Sequence, residues 1–188
     1  MHMHAEKGSI FKSSPSFLNT IMKLVIRTAT RNDIPSIVNV RLASTVKGET
    51  QGFEAPEWVT YFSSEELRKA WVEKNRLKDG LEVIVAEKNR KIVGVILFKM
   101  EDDHCYIDDI DIIRNEQKKG IGRALVTHVE NISKANGYCL MKTDTVENAE
   151  GIPWKSYGFW IRIGYKDTGE RLATKWDFKI IPFVKNLR

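Results

Sequence analysis

Two cysteines, four histidines and no Cys-x-x-Cys pair leave this chain little material for a metal centre, and no metal site is expected. Cys105 and Cys139 each lie in a strand-like segment, where a lone thiol reads as a small buried hydrophobe in a reduced compartment. No apolar run approaches the roughly 20 residues that a membrane span requires. The first 21 residues are broken by Lys7, Gly8, Lys12 and Pro15 and lack the continuous apolar stretch of a secretory signal. A cytoplasmic protein with no membrane partner is therefore expected. Residues 1–21 read as a loose extension and residues 22–188 as one domain. Internal repeats and low-complexity tracts are missing too. The net charge of +5 is compatible with a phosphorylated ligand, an acidic peptide or nucleic acid. Basic residues are interspersed with acidic ones rather than clustered, so nucleic acid is not the expected partner.

The residues that are present alternate between strand and helix periods. Leu24-Val25-Ile26-Arg27 reads as a first strand, and Thr30-Arg31-Asn32-Asp33 as a helix entry. Ile34, Ile37, Val38 and Leu42 follow at helical spacing. Residues 48–58 form a Gly/Pro loop carrying Phe53 and Trp58. Ser63-Ser64-Glu65-Glu66 caps a second helix that Gly80 ends. Residues 81–86 and 91–98 form a hairpin, in which Gly94 marks a bulge or a close approach. A third antiparallel strand, 105–113, carries Asp108, Asp109 and Asp111. A helix with Ile121, Ala124, Leu125, Val129 and Ile132 on one face ends at Asn136-Gly137. Residues 138–142 are expected as a fifth strand, reached by a parallel crossover. Residues 143–152 read as an irregular polar stretch, with Pro153 opening an aromatic helix that spans 154–163. Residues 165–168 and 171–181 complete the sheet, with Pro182 at its edge. The fold class is mixed α/β: a mostly antiparallel sheet of six to seven strands flanked by about four helices, with strands four and five parallel and splayed.

Chemistry concentrates at Gln117-Lys118-Lys119-Gly120-Ile121-Gly122-Arg123-Ala124, between the aspartate strand and its helix. Amides at a helix start have no intrahelical acceptor and point at whatever anion sits there. The glycines admit the anion to the backbone, while Lys118, Lys119 and Arg123 add positive charge. No Gly-Lys-Ser/Thr closes the turn and no GxGxxG is present, so it is neither a P-loop nor a dinucleotide fingerprint.

This turn, with Ile110-Asp111-Ile112 before it, resembles the Gln/Arg-x-x-Gly-x-Gly/Ala motif of the GCN5-related N-acetyltransferases. The order of elements agrees across roughly residues 23–182. The resemblance implies acetyl-CoA as acetyl donor. Its pyrophosphate would lie on residues 117–122 with Arg123 and Ala124, and its pantetheine arm along the main chain of Ile110, Ile112 and Ile113. Phe159-Trp160-Ile161-Arg162-Ile163-Gly164-Tyr165 resembles the family's late aromatic-Tyr-x-Lys-x-Gly-Phe helix. Trp160 then stands where the family places the tyrosine that protonates the departing thiolate. Indole does not supply that proton. Tyr157, one turn earlier, either substitutes or hydrogen-bonds in the core. Asn148 is the nearest counterpart of the family's asparagine.

Acyl transfer to an amine needs a neutral nitrogen, donors for the developing oxyanion and a group to take the amine's proton. A period of two places Asp108 with Ile110 and Ile112 on one face and Asp109 with Asp111 on the other. Asp108 is the first candidate base and Asp109 the second. The bland alternative makes these solvent-facing strand-end charges or ion-pair partners. The expected activity is transfer from acetyl-CoA to a primary amine in a ternary complex. The acceptor is a small molecule, a lysine or a protein N-terminus, and a homodimer is compatible with this reading. The competing reading is an acetyl-CoA-binding module or sensor on the same fold.

Overall fold

The computed structural model describes residues 23–44 and 81–187. The expectations for residues 1–22, the loop 48–58 and the helix 63–80 fall outside them. The described elements are β1 (Leu24–Thr28), a 3-10 turn (Arg31–Asp33), α1 (Ile34–Ser44), β2 (Leu81–Lys88), β3 (Lys91–Met100) and β4 (Cys105–Ile112). They continue with α2 (Ile121–Ala135), β5 (Leu140–Asn148), α3 (Tyr157–Arg162), β6 (Lys166–Asp167), β7 (Leu172–Ala173) and β8 (Phe178–Asn186).

The strands form one eight-stranded sheet in the order β1-β2-β3-β4-β5-β8-β6, with β7 also on β8. Among the described strands only β4 and β5 pair in parallel. The mixed α/β class is as expected. The sheet exceeds the expected six to seven strands because the C-terminal segment divides into the two-residue β7 and the long β8. Three α-helices lie among the described residues.

Binary patterning fixes which helix covers which face. Ile121, Leu125, Val126 and Val129 recur at helical spacing, and α2 buries them against Ile84, Ile96, Phe98 and Ile107 of the sheet. Each such side chain, fully buried, contributes roughly 1.5–3 kcal/mol. Trp160 of α3 and Tyr165 join the same layer. On the opposite face Ile37, Val38 and Val40 of α1 pack on Val83, Val85, Val95 and Leu97. At Gly94 a Cβ would come within 2.6 Å of Ile112 Cδ1, and Val93 is the extra residue of a register shift opposite Ala86/Glu87. Both readings of that glycine therefore hold. The hairpin turn carries two left-handed residues, Asn89 (φ 52°) and Arg90 (φ 62°).

Several boundaries differ from the sequence reading, each for a local reason. β5 is not 138–142 but runs to Asn148, through the stretch read as irregular. Its inward positions after Met141 are Thr143, Thr145 and Glu147, so apolar alternation is absent although the burial alternates. These buried polar groups are satisfied by Ile107 O, Ser156 Oγ and Arg171 respectively. Pro153 makes a β-bridge with Glu147 rather than opening a helix, and α3 begins at Tyr157. Cys139 is exposed, because it precedes β5 in the turn from Gly137 (φ 87°); Cys105 is buried as expected.

Pro182 lies inside β8 rather than at its end, opposite Asp144 of β5. Its carbonyl accepts from the Thr168 amide at 3.1 Å, on the β6 side. The N–H and C=O of one strand residue point the same way, so the missing donor faces β6 and the β5 ladder loses nothing.

Candidate active site

The parallel ladder between β4 and β5 is only two residue pairs long: Cys105 with Met141 and Tyr106 with Lys142. Beyond it the strands part. The cause is visible on the other side of β4, where Phe98 pairs with Ile107 but Leu97 pairs with Asp109. Asp108 is thus the extra residue of a β-bulge, which bends its strand and raises the local twist. The bulge also resets the parity. Ile107, Ile110 and Ile112 share the α2 face, Asp109 and Asp111 turn to the α1 face, and Asp108 is exposed. The expected grouping of Asp108 with Ile110 and Ile112 on one regular face fails at this one inserted residue. Where the ladder ends, the Thr143 hydroxyl donates to Ile107 O at 3.0 Å and supplies the bond the backbone no longer makes.

The α1-side wall of this opening is acidic. Arg41 of α1 ion-pairs with Asp109 and reaches Asp111 at 3.3 Å. Burial and the neighbouring Asp109 carboxylate push Asp111 up to about 6. From β5, Asp144 accepts a hydrogen bond from the Tyr106 hydroxyl. Burial, with the charges of Asp108 and Asp109, raises the Asp144 carboxyl above the ordinary aspartate value. Burial also raises the Tyr106 phenol, so it remains a donor. Tyr106, Arg41 and Asp144 were not anticipated from sequence. Tyr106 and Asp144 are 38 positions apart, and only the parallel crossover joins them.

The glycine turn is where the sequence placed it. Gly120 precedes α2 at φ +84°, and a Cβ built there would meet nothing within 4 Å. Among the described residues, the amides of residues 118–123 donate to no protein acceptor. Neither Lys118 nor Arg123 makes an ion pair among them, while Lys119 lies 3.4 Å from Glu116. Open amides, a glycine with free space before it and two cations without carboxylate partners suit a diphosphate. Ala124 is inside the helix, its amide bonded to Gly120 O at 3.0 Å. Arg123 also lines two shallow grooves of about 390 and 400 Å³ on either side of α2.

The other expected site residues divide. Ile110 and Ile112 are partly buried against the α2-side core, and Ile113, just past β4, packs against the clusters on both faces. The Gln117 side chain donates to Ile112 O (2.9 Å) and Ser44 O (2.8 Å), tying β4 to the end of α1. Asn148 accepts from the amides of Glu150 and Ile152 and so organises its own loop. Trp160 is 2% exposed and packs edge-on with Phe159 and Tyr165 in the core. Tyr157 donates to Asp167 Oδ2 at 3.0 Å and lies edge-on to Phe183. Gly164 (φ 93°) follows α3 and turns the chain through the buried Tyr165 toward β6.

A mixed sheet with one short parallel pair that splays beside an anion-ready helix start defines an acetyltransferase-type α/β protein. The model of a family described as Acetyltransferase (GNAT) family matches residues 49–159, and the chain belongs to that family. No curated protein matches the chain in sequence. Among solved structures, the PaiA N-acetyltransferase from Thermoplasma acidophilum, in complex with coenzyme A, superposes with a TM-score of 0.64 at 17% identity. The match covers 86% of this chain and 98% of that one. The aminoglycoside 6'-N-acetyltransferase from Enterococcus faecium gives 0.63 at 14% identity, over 87% and 97%. The ribosomal-protein-S18-alanine N-acetyltransferase from Escherichia coli gives 0.61 at 12%, over 88% and 94%. At these identities the likeness establishes the fold. Among the described residues no helix is long and apolar enough to cross a membrane.

Proposed function

We propose that this protein transfers an acetyl group from acetyl-CoA to a primary amine, directly, with both substrates bound. The observation that carries the reading is the open amide turn of residues 118–123 beside the place where β4 and β5 part. Residues 117–122, with Lys118, Lys119 and Arg123, would hold the diphosphate. The main chain of Ile110, Ile112 and Ile113 would run beside the pantetheine arm. When bound, acetyl-CoA supplies an activated acyl group. The protein's part is to orient that group, exclude water and receive a proton from the amine.

Asp108 and Asp109 stand at the bulge and would draw a cationic amine into the opening. Asp109 is already ion-paired with Arg41 of α1. Tyr157 takes no part in proton transfer in this reading, because its hydroxyl proton is held by Asp167. A thiolate is a stable leaving group in water and departs without a dedicated donor. An acceptor of small-molecule, lysine or N-terminal type fits an acidic wall equally well. The CoA-complexed PaiA structure and the acetyltransferases of similar fold support the donor and the reaction class.

The test is calorimetric titration with CoA, followed by a thiol-release assay with acetyl-CoA over polyamines, aminoglycosides, amino acids and peptides. Binding with turnover on one amine class is the expected outcome. Binding without turnover on any of them favours a sensor, and failure to bind CoA overturns both readings.

A further inference from the structure

We propose that Asp144, held by the Tyr106 hydroxyl, is the base that takes the proton from the acceptor amine. The inference rests on the acetyl-transfer reading and names a residue which that reading leaves unassigned. It starts from position. Asp144 is two residues past Lys142, the last β5 residue paired with β4, so it stands on the parting edge of the opening. Alternation along β5 sends Thr143 and Thr145 inward and Asp144 to the other face. Tyr106, the last paired residue of β4, reaches across the fork and donates to Asp144 Oδ2. A carboxylate at this fork has one oxygen fixed by a donor and the other available to a ligand entering between the strands.

The neighbouring carboxylates are committed differently. Asp109 and Asp111 turn to the α1 face, where both engage the Arg41 guanidinium. Asp108 is exposed on the bulge. Asp144 is half-buried, has no cationic partner among its recorded contacts, and faces Tyr106, Asp108 and Asp109 from β4. The opposed residue on β8 is Pro182, which carries no charge. Burial and like charges make its carboxylate more basic, as the task requires.

The step balances as follows. An ammonium entering the opening gives one proton to the Asp144 carboxylate and gains a lone pair. That pair forms the C–N bond to the acyl carbon as the C–S bond breaks and sulfur leaves with its electrons. The second nitrogen proton passes through water to the thiolate, and Asp144 returns its own proton to solvent. Amide, thiol and one proton are the products.

The experiment compares Asp144→Asn and Tyr106→Phe with the parent chain. Asp144→Asn is near-isosteric and still accepts from Tyr106. With acetyl-CoA and the best of spermidine, kanamycin and a lysine-bearing peptide, kcat should fall about 100-fold, while CoA affinity by calorimetry stays within about twofold. Tyr106→Phe removes a bond that favours the charged carboxylate, so the acid limb of the pH–rate profile should move to higher pH. Carboxyl carbon NMR titration of the free protein needs no acceptor. Asp144 should titrate above the ordinary aspartate range, and higher still in Tyr106→Phe. An Asp144→Asn enzyme with undiminished kcat, or an Asp144 that titrates at or below the ordinary value, overturns the assignment. A parent chain that does not bind CoA overturns the acetyl-transfer reading itself and is seen separately, in the calorimeter.

Discussion

The Thr143 hydroxyl donates to the Ile107 carbonyl at 3.0 Å, at the point where β4 and β5 stop pairing. A side chain on one strand thus closes the last bond of a ladder that the bulge at Asp108 has opened. Replacing Thr143 with Val keeps the shape and leaves a buried carbonyl without its donor. The expected loss is about 1–3 kcal/mol, read from urea unfolding at neutral pH. CoA binding should weaken as well, because the edges of the opening are no longer held at a fixed separation.

Gly94 is closed in by three methyl groups, the nearest on Ile112. A Cβ there would lie 2.6 Å from Ile112 Cδ1 and 3.2 Å from both Ile121 Cγ2 and Leu125 Cδ1. Gly94→Ala should cost about 1–3 kcal/mol through overpacking. Adding Ile112→Val removes the nearest atom, so the double variant should regain part of that loss in thermal melting. Additive losses in the two variants would refute the contact.

At the glycine turn the constraint is the backbone rather than space. Gly120 has φ +84° with nothing within 4 Å of a built Cβ. Gly120→Ala therefore meets no clash but carries the left-handed penalty of about 1–2 kcal/mol. Relaxation of the turn would spoil the convergence of its amides, so CoA affinity should drop by at least about tenfold, a further 1.4 kcal/mol. Calorimetry reads the affinity and circular-dichroism melting reads the stability.

Asp111 gives the fold a pH dependence of known sign. Its folded-state value is pushed up from 3.8 to about 6, first by burial and then by Asp109. A carboxyl that holds its proton longer when folded contributes stability that is fully present below the unfolded value. That contribution is lost as pH rises from about 4 to about 6. The difference in unfolding free energy between the parent and Asp111→Asn should therefore fall across that window and be flat above it. A difference that rises with pH would mean that Arg41 dominates Asp111 and burial does not.

Much of this protein can be read along the chain because its signals are local. The stripe Ile121, Leu125 and Val129 announces α2, and Gly120 announces the turn before it. Residues that must bend, cap or alternate do so within a few positions. The aspartate strand shows where local reading stops. Its alternation is regular in sequence, and one unpaired residue, Asp108, moves Asp109 and Asp111 to the α1 face with Arg41. β5 was hidden for a related reason. Its buried face is Thr143, Thr145 and Glu147, polar residues whose partners lie on β4, in the segment before α3 and at Arg171.

The sequence by itself determined the family motif, the glycine turn before α2 and the α/β class, since each depends on periodicity and on a few residues close together. Tertiary structure alone decided how the site is walled. It closed a two-pair parallel ladder, placed a bulge where the strands part, tied Tyr157 to Asp167 of β6 and engaged Asn148 with its own loop. It also brought Tyr106 to Asp144 across the crossover. Such pairings are set by strand register between distant segments, and register is a property of the packed sheet rather than of either strand.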